Sequence, residues 1–373
     1  MGLLVDGRWQ DRWYDTEGNE GRFVRTQATW RGAITADASP GPDGRVFAPE
    51  AGRYHLYVSY ACPWAHRTLI ARALKGLESL IGISVVHWLM AEHGWTFNPD
   101  SDGVVGDNLY GSELLYQLYQ RADPAFTGRV TVPVLWDTRS QTIVSNESSE
   151  IIRMFNQAFA PLGVAGPDLY PEPLRAGIDQ WNARIYDTLN NGVYRAGFAT
   201  TQAAYDEAVG PLFETMDALE AHLGAHRYLV GPAPTEADWR LLPTLLRFDP
   251  VYHGHFKCNL RRLVDYPNLW AYTRELYQWP GVAGTCRLEH ARRHYYQSHR
   301  MINPSGIVPL GPRLDLDAPT GASGSIERST IVGEIFLGAP DDWRARPARC
   351  RLTGRTSPSN KRLARPGDPQ WPI

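Results

Sequence analysis

Cysteine is scarce and scattered: Cys62, Cys258, Cys286 and Cys350 are all that 373 residues contain. Four thiols without paired short spacings speak against a disulfide framework and against a zinc site, and they fit a reducing compartment, which also supplies thiol cosubstrates. Long apolar runs are missing too. None approaches the ~20 residues of a membrane span, and the N-terminus lacks the basic-then-apolar order of a signal peptide, so the expectation is a cytoplasmic protein. Excess charge is the third absence. A formal net charge of −2 gives no general attraction to nucleic acid or to an anionic membrane.

What is present centres on Tyr60-Ala61-Cys62-Pro63-Trp64-Ala65-His66-Arg67. Upstream, residues 54–59 alternate in the two-residue period of a half-buried strand. Downstream, Ala65 to Lys75 is rich in helix formers, with Leu69, Ala73 and Leu77 on one face, and Pro63 suits a first turn because no amide donor is needed there. Cys62 is therefore expected at a helix N-terminus, where free amides and the positive end of the macrodipole draw a thiol pKa from ~8.5 into the range ~3.5 to 7.5. A free cysteine is more often a small buried hydrophobe. Strand, Cys-Pro and helix together favour the reactive reading. The third residue on is Ala65, so the turn holds no resolving thiol and a second one must come from elsewhere.

In chain order, residues 1–50 read as an irregular extension over the first domain. Strand, Cys turn, helix and a second strand at 81–88 form a βαβ unit. Residues 91–128 read as a long polar and aromatic insertion, and Arg129 to Asp137 as a strand whose Pro133 argues for an edge, a bulge or a cis peptide. A short strand at Ile143-Val144 and a helix opened by residues 145–150 follow, which is thioredoxin-like order. Residues 51–160 are thus one α/β domain, 160–173 a Pro- and Gly-rich linker, and 171–312 an all-α domain. In the latter, Pro211 to Leu223 is an amphipathic helix and Thr235-Glu236-Ala237-Asp238 a capped helix start. The Gly-, Pro-, Ser- and Arg-rich residues 313–373 read as a disordered tail. His290 and His294 share a helix face at zinc-ligand spacing, but Arg292 and Arg293 stand between them, so a solvated face is the better account and no metal is expected.

A thioredoxin-like domain followed by a helical one is the glutathione transferase architecture. The residues carry a closer likeness: Tyr60 to Arg67, Arg129 to Asp137, Val144 to Ile151, Asn190 to Tyr194, Thr235 to Asp238, Arg247 to Asn259, Ile302-Asn303-Pro304 and the opening Gly2 to Gly7. With these the chain resembles the glutathionyl-hydroquinone reductases, the Xi-class branch of the glutathione transferases, over residues 1 to about 312. The resemblance implies Cys62 as nucleophile and glutathione as cosubstrate with no permanently bound cofactor. It implies Trp95 packing on glutathione, Arg129 holding a carboxylate, Val132 pairing with the cysteinyl backbone, and Glu147 and Ser148 taking the γ-glutamyl end. It implies Tyr194, Tyr252 and Tyr295 lining the site, with Tyr296 an adjacent alternative to Tyr295. Glutathionyl-hydroquinones are the substrates so implied, and a homodimer is the assembly it implies. Two other readings stand beside it: an omega-type thiol transferase or dehydroascorbate reductase, and a non-catalytic glutathione transferase-like binding module.

Overall fold

The computed structural model describes residues 2–320. Its central sheet has four strands in the order β4-β3-β6-β7, with β3 Tyr54–Val58, β4 Ile81–Val85, β6 Val134–Asp137 and β7 Thr142–Ser145. β3 and β4 run parallel across helix α1 (Pro63–Leu74), and β6 pairs antiparallel with β3 and with β7. Helix α3 (Ser148–Gln157) packs beside α1. This is the thioredoxin-like half.

All five residues of β3 are buried, so the strand is not half-exposed as its alternation suggests. The reason is that both faces are covered. On one face His55 hydrogen-bonds Ser84 and the Tyr57 hydroxyl donates to Asp107 of the insertion, while on the other Tyr54 meets Phe159 edge-on. The insertion itself is not wholly irregular. It contains helix α2 (Leu115–Ala122), which buries Leu115, Leu118 and Tyr119 at three- and four-residue spacing. The 129–137 stretch is not one strand either: β5 (Gly128–Arg129) is separate from β6, with the cis peptide Val132-Pro133 between them.

The N-terminal extension departs from the irregular reading at its start. Strands β1 (Leu3–Val5) and β2 (Arg8–Gln10) form a hairpin, and β1 also pairs with β5 in a second sheet of order β2-β1-β5. Its two-residue turn is Asp6-Gly7, with φ +46 and +71. That is the left-handed pair a tight hairpin requires.

The second half is helical: α4 (Arg175–Ile185), α5 (Gly192–Gly197), α6 (Gln202–Leu223), α7 (Glu236–Arg247), α8 (His253–His255), α9 (Pro267–Tyr277) and α10 (Leu288–Ser298). Helix α6 starts nine residues before Pro211 and carries that proline inside it, because the Thr201 side chain caps an earlier start through the Ala204 amide. Asp238 accepts from the Thr235 amide (2.7 Å) and hydroxyl (3.0 Å), closing the start of α7. Part of the expected tail is also packed. Leu316 is buried, and Gln278, the C-cap of α9, and Arg274 within it donate to the carbonyls of Leu316 and Pro319, so residues 314–319 lie against that helix because an apolar side chain there has a core to enter. Residues 321–373 of the tail lie outside the described residues.

The two halves meet along α1. His66 hydrogen-bonds Thr285 (2.9 Å), and the Arg67 guanidinium donates to Asn190 (2.7 Å) and to the Arg240 carbonyl (3.2 Å). The helix that carries the cysteine is thereby fixed against the helical half.

Candidate active site

Cys62 is the N-cap of α1, in extended conformation, with Pro63 at the first helical position. Its thiol donates to the Val132 carbonyl at 3.4 Å. The Trp64 and Ala65 amides are directed at the sulfur, and Arg247 and Arg25 add positive charge nearby; all four lower the thiol pKa, yet burial outweighs them and pushes it up. The macrodipole expectation of a lowered value omitted that cost of moving charge into a poorly solvated place.

Beside the cysteine a cleft is lined by Arg25, Trp64, Arg129, Val132, Glu147 and Ser148, among others. Sequence-selected Arg129, Val132, Glu147 and Ser148 are thus brought together. Arg129 donates to the backbone carbonyls of Arg12 and Trp13, and its guanidinium lies 4.1 Å from the Tyr14 ring centre. Glu147 caps α3, accepting from the Ser149 amide (3.0 Å) and hydroxyl (2.8 Å), and Ser148 is buried at the first turn. A helix N-terminus at a cleft wall is a ready anion site.

Trp95 is not brought to the cleft wall. It is buried and stacked on His294, 4.9 Å between centroids at 20°. His290 and His294 are not solvated, contrary to their reading as an exposed face: they donate to the Asp102 carbonyl (2.6 Å) and the Trp88 carbonyl (2.8 Å) and so anchor the insertion and the segment just before it. Among the described residues no group of His, Cys, Asp or Glu is arranged to hold a metal.

Tyr194, Tyr252 and Tyr295 come from three separate elements and converge. The Tyr295 hydroxyl hydrogen-bonds that of Tyr194 and, at 3.3 Å, that of Tyr252. Burial raises the pKa of each phenol, and a charge on Cys62 raises those of Tyr194 and Tyr252 further. Tyr296 packs on His255 instead, which separates the two adjacent candidates.

Two residues assigned no role by sequence complete the site. Arg247 opens the 247–259 motif but shows its role only through the fold: the residue is 1% exposed, and its guanidinium donates to the carbonyls of Tyr60 (2.8 Å), Ala61 (3.0 Å) and Pro243 (2.8 Å) and to His66 Nδ1 (3.2 Å). It ties the end of α7 to the two residues preceding Cys62. Arg25 sits in the extension, where no periodicity marks it.

Comparison with known proteins identifies the family. The glutathione S-transferase N-terminal domain model matches residues 61–158 and the C-terminal domain model residues 202–275. Glutathionyl-hydroquinone reductase YqjG of Escherichia coli is 58% identical over 322 residues, covering 86% of this chain and 98% of that protein. The chain belongs to the glutathionyl-hydroquinone reductases of the glutathione S-transferase superfamily. The glutathione-bound structure of YqjG superposes with a TM-score of 0.80 at 55% identity, over 86% of this chain and 98% of that one. A second reductase of this family, PcpF of Sphingobium chlorophenolicum, is 56% identical over 86% of this chain and 99% of its own length. The Xi glutathione S-transferase of Phanerochaete chrysosporium gives a TM-score of 0.75 at 53% identity, over 79% and 94% of the two chains.

Proposed function

We propose that this enzyme reduces S-glutathionyl-hydroquinones to hydroquinones, with Cys62 as nucleophile and glutathione as the reductant. The observation that carries the reading is the placement of the Cys62 thiol between a cleft bounded by Arg129, Val132, Glu147 and Ser148 and a buried set of tyrosine hydroxyls. In the first half-reaction the deprotonated Cys62 sulfur attacks the substrate's glutathionyl sulfur. A disulfide forms, the carbon–sulfur bond breaks, and the ring carbon takes a proton. In the second half-reaction another glutathione thiolate attacks the mixed disulfide, releasing oxidised glutathione and the Cys62 thiolate. Ala65 leaves no resolving thiol in the turn, which fits the need for an external one.

Arg129, Glu147 and Ser148 supply groups for the carboxylates and ammonium of glutathione, and the Val132 backbone a partner for its cysteinyl unit. Trp95 would reach glutathione only if the His294 stack opened. Tyr194, Tyr252 and Tyr295 form the proton-donating side. The enzyme is proposed to act as a cytoplasmic homodimer; among the described residues no helix is long and apolar enough to cross a membrane.

Mass spectrometry after incubation with a glutathionyl-hydroquinone tests the mechanism. A glutathione adduct on Cys62 and ping-pong kinetics are expected, and full reductase activity in Cys62→Ala refutes the role of the thiol. An omega-type thiol transferase would turn over a glutathione mixed disulfide faster than a glutathionyl-hydroquinone. The buried tyrosine set favours the aromatic leaving group.

A further inference from the structure

One charge on the cleft wall is left without a role in the scheme above. The Arg25 guanidinium lines the same cleft as Arg129, Glu147 and Ser148. Its Nε donates to the neutral Asn191 side chain at 2.9 Å, and its Nη2 is buried with no hydrogen-bond partner among the described residues. The remaining surroundings are ring faces: its carbon lies 5.5 Å from the centre of Phe23, 5.0 Å from Trp64 and 4.8 Å from Tyr194. A desolvated cation normally finds an anion, and half-buried Arg25 has one terminal nitrogen shut away from solvent. Here it meets an aromatic wall beside a nucleophilic sulfur, close enough to lower the pKa values of both Cys62 and Tyr194.

We propose that Arg25 is a further catalytic residue, donating to the ring oxygen of the bound glutathionyl-hydroquinone on which negative charge gathers as the carbon–sulfur bond breaks. The proposal rests on the reading of function given above. Its chemistry balances as follows. The hydroquinone first shifts a proton from oxygen to the sulfur-bearing carbon, becoming a dienone. Cys62 thiolate then forms the disulfide while the electron pair of the broken carbon–sulfur bond passes to the dienone oxygen, which becomes a phenolate. The cysteine–glutathione sulfurs are oxidised, the ring is reduced, and a proton from the tyrosine hydroxyls, restored from water, completes the hydroquinone. A planar guanidinium suits an oxygen anion, and a cleft of low polarity strengthens it. The same fork would accept a glutathione carboxylate. The shell of Phe23, Trp64 and Tyr194 favours the aromatic ring.

The test is kcat/KM for wild type, Arg25→Gln and Arg25→Lys on glutathionyl-hydroquinones graded in phenol acidity by ring halogenation. Arg25→Gln is expected to slow the least acidic member by roughly 10- to 100-fold, the range for a hydrogen bond to a charged group, and the most acidic member far less. Arg25→Lys should fall between. A loss uniform across the series, as from a glutathione-carboxylate contact or a structural role, overturns the proposal, and so does no loss. If wild type turns over no member, the functional reading and the role of Arg25 fall together; an active wild type with a uniform loss sinks Arg25 alone. Should the variants not fold, wild type decides: 2,4,6-trichlorophenolate is expected to inhibit about tenfold more strongly than its methyl ether, and equal inhibition overturns the proposal.

Discussion

Replacing Arg247 by lysine keeps the charge and removes the fork. The guanidinium satisfies four acceptors, the carbonyls of Tyr60, Ala61 and Pro243 and the His66 ring. An ammonium on a shorter reach spans about half of these, leaving roughly two buried acceptors unpaired at about 1–3 kcal/mol each. The expected loss is about 2–6 kcal/mol, a large part of the 5–15 kcal/mol typical of a folded domain. Urea unfolding at pH 7 reads it directly. Because two of the acceptors immediately precede Cys62, kcat should fall as well. Arg247→Met adds a separable effect: removing a cation that lowers the Cys62 pKa should move the pH midpoint of its alkylation upward, whereas Arg247→Lys should leave that midpoint nearly in place. A stability change under about 0.5 kcal/mol in Arg247→Lys, the size of an ordinary surface substitution, would refute the clamp.

Other perturbations have defined outcomes. Tyr295→Phe removes the hydroxyl that joins Tyr194 and Tyr252 and should lower kcat roughly 10- to 100-fold, while Tyr296→Phe should stay within about twofold; equal effects would dismiss the hydroxyl set. Gly197→Ala places a Cβ 2.1 Å from Phe256, the ring stacked under Tyr252, so about 1–3 kcal/mol of stability should be lost, and an unchanged melting temperature contradicts that packing. Burial holds His55, His255 and His294 at pKa values of about 4. Each is neutral when folded but protonated when unfolded below the ordinary value of about 6.5, so their contribution is complete above pH ~6.5 and is lost as pH falls toward 4. At about 3 kcal/mol per group as an order of magnitude, urea stability should drop steeply over that window. A flat profile would mean these rings are protonated in the fold.

The features legible in sequence were those written in adjacent residues. Pro63 and the helix formers after it mark the start of α1, and Thr235 with Asp238 marks that of α7. Periodicity failed where a covering element lay far along the chain. Nothing near β3 says that Asp107 will cover one face and Phe159 the other. Other signals are local: Asp6-Gly7 is a two-residue hairpin signature, and Leu115, Leu118 and Tyr119 have helical spacing. For the site, the turn argues only for a reactive thiol. Its partners entered through family likeness, because Tyr194, Tyr252 and Tyr295 meet only after the helical half has closed on α1.

The extension then has a different standing from an appendage. Trp13 packs edge-on against Phe198, Phe23 lies near Tyr194, and Arg25 bonds Asn191, so one segment runs onto the helical half. The same segment presents the Arg12 and Trp13 carbonyls to Arg129, whose β5 pairs with β1. A residue assigned to glutathione and a residue beside the tyrosines are thus held by one piece of chain. Loosening it must disturb both sides of Cys62 at once, because Arg129 donates to two carbonyls of this segment and Arg25 belongs to it. The extension is therefore part of the wall around the Cys62 sulfur, and its aromatic residues hold that wall in place.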